Sequence, residues 1–183
     1  TAHVLECLVE RAPKGRAIQR ALSYIAKAQE SDGAWYGRWG VDYIYGTAQV
    51  LVALGTLGEG RQRPSLRRGV AWLVSHQNQD GGWGETCRSY DDPIHSRGIG
   101  PSTASQTAWA ITGLTATAGS DHPAVTTGVE YLLRTQREDG SWEEEAYTGT
   151  GFPRAFYLRY DMYRLHFPLL ALARYKVDRE QTR

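Results

Sequence analysis

Ile18, Leu22 and Ile25 fall at i, i+4 and i+7, and Gln29 follows at i+11. The stripe returns as Leu66, Val70, Leu73 and Gln77, and again as Val125, Val129, Leu132 and Gln136. That period predicts three amphipathic helices, each burying one face. Each stripe runs into the same punctuation: Gln29-Glu-Ser-Asp-Gly-Ala-Trp35, Gln77-Asn-Gln-Asp-Gly-Gly-Trp83 and Gln136-Arg-Glu-Asp-Gly-Ser-Trp142. Gly33, Gly81 and Gly140 are read as helix stops. After a loop, a second segment of small and apolar residues follows each time, over roughly 43–57, 102–117 and 156–175, and is predicted as a second helix. No segment alternates like a strand, so the class is all-α. The organisation is three two-helix units, at roughly 15–60, 61–119 and 120–176, within one domain.

The recurring Gln and Trp have a physical task. A Gln at a helix end can hydrogen-bond nearby backbone, and a Trp ring can cover that bond and exclude water. Such a clasp ties one unit to the next. Three copies of one group point to structure, since chemistry rarely needs the same group three times.

The third unit carries the densest aromatic stretch: Phe152, Phe156, Tyr157, Tyr160 and Tyr163 within twelve residues. A Gly-Thr-Gly-Phe-Pro turn is expected to lead into a helix, with Pro153 in its first turn, where a missing N–H costs nothing. Phe156, Tyr160 and Tyr163 then fall on one face, with Phe152 at its mouth. One reading is an aromatic core helix. The sharper one is a pocket of ring faces, which a developing carbocation would find attractive.

Composition narrows the partners. Lys and Arg number 21 against 20 Asp and Glu, which gives no electrostatic case for nucleic acid. Six Trp and eleven Tyr suit an apolar ligand. Cys7 and Cys87 form no metal-ligand spacing and are read as reduced, buried thiols in a cytosolic protein. No signal peptide is expected, and no apolar run of this sequence is long enough to span a bilayer, though lying on one needs only an exposed apolar patch. The basic run 61–68 is read as a solvated loop and helix start. Asp91 and Asp92, beside Pro93, are read as turn or cap residues.

The Gln-x-x-Asp-Gly-x-Trp segments resemble the QW repeats of the class II triterpene cyclases, and most of all those of bacterial squalene–hopene cyclases. The stretch from Trp35 through Trp39 to Tyr45 carries the likeness, as do those from Asp80 to Tyr90, Ser105 to Ala110 and Gly149 to Tyr175. The likeness covers nearly the whole chain. Departures in the scaffold are small: Arg20-Ala21 and Thr127-Gly128 stand where the family favours a basic residue and Gly.

The resemblance implies a double-layered helical barrel (an α/α toroid), of which this chain is a part. It implies an isomerase that cyclises squalene to hopene and hopanol, without metal or organic cofactor. Such an enzyme sits peripherally on the cytoplasmic face of the membrane, and a homodimer is left open. In that family a protonated Asp of an Asp-x-Asp-Asp motif starts the reaction, and aromatic rings stabilise the cations that follow. This chain has no such motif, and the family's acid lies N-terminal to the region matched here. The segment alone is therefore expected to be inactive.

The resemblance assigns His3 as the residue that hydrogen-bonds and strengthens the catalytic acid, and Tyr45 as a residue near the acid end that helps re-protonate it through water. Trp39, Phe152, Phe156, Tyr160 and Tyr163 map onto cavity aromatics. By the residues alone His3 is an ordinary terminal histidine, and core packing is an equal reading of Trp39 and Tyr45. Two rivals are a prenyltransferase-type helical barrel, which needs an Asp/Cys/His zinc set, and a stand-alone helical repeat module that binds an apolar ligand or protein without catalysis.

Overall fold

The computed structural model describes residues 1–11, 15–58 and 63–182. Arg61 and Gln62, the start of the basic run, lie outside the described residues. The helices in order are α1 (Ala2–Arg11), α2 (Arg16–Lys27), α3 (Tyr43–Thr56), α4 (Pro64–Ser75), the single turn α5 (Pro93–Ser96), α6 (Ala104–Ala118), α7 (Pro123–Thr135) and α8 (Tyr163–Thr182). They form two layers. In the inner layer α1 packs on α3, α3 on α6 and α6 on α8, while α2, α4 and α7 lie outside against this row.

The two central inner helices, α3 and α6, are almost wholly buried because their residues are small or apolar, and glycine sets how closely they approach. A Cβ on Gly113 would stand 3.0 Å from the Ala48 backbone, and one on Gly55 would meet the backbone of Ala116. The outer helices show the expected stripe: Ile18, Leu22 and Ile25 of α2 are buried. Pro64 and Pro123 open α4 and α7, where no N–H is needed. Thr103 caps α6, its hydroxyl accepting from Gln106 N at 3.2 Å. Asp92 caps α5 through His95 N, as its sequence position suggests.

The clasps are built alike. Each Trp indole N–H donates to a carbonyl ten residues earlier, in the last turn of its own outer helix: Ile25 O at 2.8 Å, Leu73 O at 2.7 Å and Leu132 O at 2.8 Å. Gln29 Nε2 donates to Gly33 O and, across to the next outer helix, to Ser65 O at 2.8 Å. Gln77 Nε2 repeats this with Gly81 O and Ala124 O at 3.0 Å. Gly33, Gly81 and Gly140 do not end their helices, which stop at Lys27, Ser75 and Thr135. They close the following turn in a left-handed conformation (φ 107°, 89° and 84°), because Asp and Gly are turn formers before they are helix caps.

The third unit departs from expectation. Phe156 does not begin a helix. Gly149–Phe152 (β1) and Phe156–Leu158 (β2) form an antiparallel hairpin with a bulge at Thr150/Phe152, and the helix starts only at Tyr163. Pro153 sits in the hairpin turn, next to Arg154 at φ 67°. The cause lies in packing that a local period does not carry. A Cβ on Gly149 would strike the Tyr160 ring and one on Gly151 the Phe156 ring, so the aromatics lie over bare glycine backbone. β1 also docks on the loop after the first clasp, through Thr150 N to Trp39 O and Val41 N to Thr148 O, both 3.0 Å.

Candidate functional site

The start of α1 and the first turn of α3 bring His3 and Tyr45 together: His3 Nε2 lies 3.0 Å from Tyr45 Oη. These residues are 42 apart in sequence and meet because α1 packs against α3. With Tyr24, Tyr36, Trp39 and Gln49 they line a cavity of about 430 Å³. Burial raises the Tyr45 pKa, so its phenol stays protonated at neutral pH.

From Tyr45 a series of rings runs inward. The Tyr45 and Trp109 rings are 4.9 Å apart, edge to face, and Trp109 meets Tyr163 at 5.9 Å and Phe167 at 5.3 Å. Tyr163 and Tyr160 are 4.6 Å apart. Tyr163 is pushed up to about 12 by burial and its phenol neighbours. Phe152 and Phe156 pair with each other at 5.8 Å across the hairpin instead of joining a helical face with Tyr160 and Tyr163. Trp39 and Phe152 are 51% and 58% exposed, so these rings cover no core, and the Arg38 guanidinium lies 5.0 Å over the Trp39 ring.

Tyr90 links the two aromatic walls. Its buried hydroxyl donates among the carbonyls of Gly40 at 3.0 Å and Arg38 at 3.2 Å, on either side of Trp39. Its ring stacks on Tyr157 of β2 at 5.8 Å. Cys87 and Cys7 are not buried as expected: Cys7 is exposed on the first helix and Cys87 half-buried, its thiol pushed up to about 11 by burial. Among the described residues, no three His, Cys, Asp or Glu side chains are grouped to hold a metal.

Three features escaped the sequence reading. Trp109 is buried at the centre of the ring series, with its indole N–H unpartnered. Its place in the matched Ser105–Ala110 stretch was the available signal. Glu85, two residues past the second clasp Trp, accepts Asp42 N at 3.0 Å and Ile44 N at 2.9 Å, so it caps α3 of the preceding unit. Glu144, two past the third, accepts Ser105 N at 2.8 Å and caps α6 in the same way. Asp42 is buried beside Glu85. Desolvation, then the Glu85 charge, pushes its pKa up to about 8. Glu85 is itself raised by burial, while the backbone N–H groups of Gly98, Ile44 and Asp42 favour its ionised form.

Residues 1–177 match the model of the squalene-hopene cyclase C-terminal domain. The squalene–hopene cyclase of Bradyrhizobium diazoefficiens is 50% identical over 173 residues, covering 94% of this chain and 26% of that protein. That of Alicyclobacillus acidocaldarius is 51% identical over 178 residues, covering 96% of this chain and 28% of its own length. A dammaradiene synthase of Dryopteris crassirhizoma is 49% identical over 87% of this chain and 25% of its own. Among solved structures, the type II terpene cyclase MstE from Scytonema superposes with a TM-score of 0.56 at 26% identity, over 74% of this chain and 37% of that one. The chain thus spans about a quarter of the length of these curated relatives. No helix among the described residues is long and apolar enough to cross a membrane. Layered helices, clasps and family match together make this all-α chain a member of the squalene–hopene cyclase C-terminal domain family, with the α/α toroid fold.

Proposed function

We propose that this chain is the C-terminal part of a squalene–hopene cyclase, which cyclises squalene to hopene and hopanol through a carbocation cascade. The observation that carries this reading is the His3–Tyr45 pair, 3.0 Å apart, in a cavity shared with Trp39. His3 has an edge free to meet a carboxyl supplied from outside these residues. A protonated imidazole there makes such an acid stronger, and the Tyr45 phenol relays a proton back to it.

Rings then do what carboxylates could not. Trp39, Phe152, Phe156, Tyr160 and Tyr163 stabilise positive charge without trapping it as an ester or removing a proton early. Each desolvated cation–π contact contributes up to about 2 kcal/mol, so several together set both rate and product. No cofactor enters this chemistry. The enzyme would take its apolar substrate from the membrane, held peripherally at the cytoplasmic face.

The segment lacks Asp-x-Asp-Asp, so we expect no turnover from it alone. The test is squalene conversion by the polypeptide bearing this segment together with an acid motif, read by gas chromatography. Pentacyclic products are expected, falling at least about 100-fold with His3→Ala. Cyclisation by the segment alone, or undiminished turnover in the variant, overturns the assignment. A native cellular polypeptide of only this size that binds squalene without converting it leaves the ligand-binding module instead.

A further inference from the structure

The Trp39 loop and the aromatic hairpin belong to different units, and one buried side chain of the unit between them touches both. Tyr90 ends the single 3-10 turn Cys87–Tyr90 and is 3% exposed. Its hydroxyl lies 3.0 Å from Gly40 O, 3.2 Å from Arg38 O and 3.4 Å from Gly37 O. No backbone N–H among the described residues reaches these three carbonyls. Gly37 and Gly40 are buried, so without the phenol two buried acceptors would go unserved. Burial pushes the Tyr90 pKa far above the usual phenol value, which keeps its proton in place.

The same contact reaches the His3–Tyr45 pair. A Cβ on Gly40 would strike the Tyr45 ring, so the backbone that Tyr90 holds is a surface on which Tyr45 packs. Tyr90 also faces the hairpin. Its ring stacks on Tyr157 at 5.8 Å with the planes 22° apart, and its carbonyl accepts Arg154 Nε at 2.7 Å in the hairpin turn. A backbone seam joins loop and hairpin as well. Thr150 N donates to Trp39 O at 3.0 Å, while the Thr150 hydroxyl donates to Phe156 O at 2.8 Å. Trp39 and Phe152 cover no core, so their spacing follows from the backbone beneath them. A phenylalanine at position 90 would fill the same space and keep the stack. Only the hydroxyl ties the loop.

We propose that Tyr90 is a positioning residue for the cyclisation: its hydroxyl fixes the Trp39 loop against the hairpin and so sets the distance between two ring walls that successive cations meet. The inference rests on the cyclase reading above. Cation–ring attraction matters only within about 6 Å of the ring centroid, so a small slip of the loop takes Trp39 out of reach of a charge that the hairpin rings still face. A cation left uncovered ends the cascade early. A neighbouring C–H bond then gives its electron pair to a new alkene and its proton to water.

The test uses Tyr90→Phe in the complete cyclase, which keeps the ring stack and removes only the hydroxyl. Hydrogen exchange read by mass spectrometry is expected to quicken at least about 10-fold over residues 39–42 and 148–151, where Val41 N and Thr150 N make the seam, and to stay as in the parent over 104–118. Squalene turnover is expected to lose at least about 10-fold in kcat with KM little changed, and products to shift toward incompletely cyclised triterpenes. Gln77→Ala, which loosens a clasp away from the rings, is the control: it should lower the melting temperature without moving the products. Should Tyr90→Phe fail to fold, Tyr157→Leu removes the stack from the hairpin side and is expected to give the same product shift. Parent-like exchange over both segments, parent-like products despite faster exchange, or the same product shift in Gln77→Ala overturns the proposal. A parent enzyme that converts no squalene overturns the cyclase reading itself, and this inference with it, before Tyr90 is touched.

Discussion

The clasps and the aromatic hairpin lie side by side and are built on opposite principles. The clasp tryptophans are buried and hydrogen-bonded in the same way three times, and each sits against its own outer helix. The hairpin rings Phe152 and Phe156 are 58% and 48% exposed and touch chiefly each other and glycine, while Tyr160, 40% exposed, meets Tyr163. Burial of large apolar area is the main source of stability, so the first region holds the fold. Rings left bare at such cost to solubility point instead to something that binds them.

Removing one clasp ring gives the largest contrast. Trp83→Ala is expected to cost about 3–5 kcal/mol in urea unfolding, whereas Phe156→Ala should stay within about 1 kcal/mol. Equal losses would erase the distinction between scaffold and wall.

A second effect comes from the buried acid pair that joins the first two units. Asp42 has a folded pKa near 8 against about 4 in an unfolded chain, so the folded state binds more protons through this range. Its contribution therefore favours folding at low pH and is lost as pH rises, until it levels off above about 8. Asp42→Asn removes this titration and can still accept from Gly37 N. Its unfolding midpoint is expected to exceed the parent's at pH 8 and to lose most of the slope between pH 5 and 8. A variant with the parent's slope would assign the pH dependence elsewhere.

Smaller still is the difference between clasps. Gln77→Ala breaks the bond to Ala124 O of the next helix and should cost about 1 kcal/mol, while Gln136→Ala loses only a bond within an exposed turn and should cost less than half as much. The small stability effect at Phe156 carries the largest functional expectation. In the complete cyclase, Phe156→Ala should shift products toward incompletely cyclised triterpenes while the melting temperature hardly moves, as product analysis beside calorimetry would reveal.

How much of this was legible depends on the range of the forces involved. Helices α2, α4 and α7 were readable because a buried stripe on a helix repeats every three to four residues. The turns at Asp32-Gly33, Asp80-Gly81 and Asp139-Gly140 were readable as punctuation, though their glycines were misplaced as helix ends. The hairpin was misread because Phe156, Tyr160 and Tyr163 satisfy a helical period, while the glycines they cover and the loop they dock on lie elsewhere in the chain. Glu85 gave no local sign of its role, since the backbone donors it caps are 41 and 43 residues away.

By itself, then, the sequence determined what local periodicity and motif chemistry encode: an all-α class, three units, their clasps and a cyclase likeness. Only the tertiary structure decided what meets across the layers. It set His3 against Tyr45, placed Trp109 among the site rings and buried Asp42 beside Glu85. The physical reason is that burial and pairing belong to surfaces far apart in the chain, and no single segment carries the identity of the neighbour it will meet.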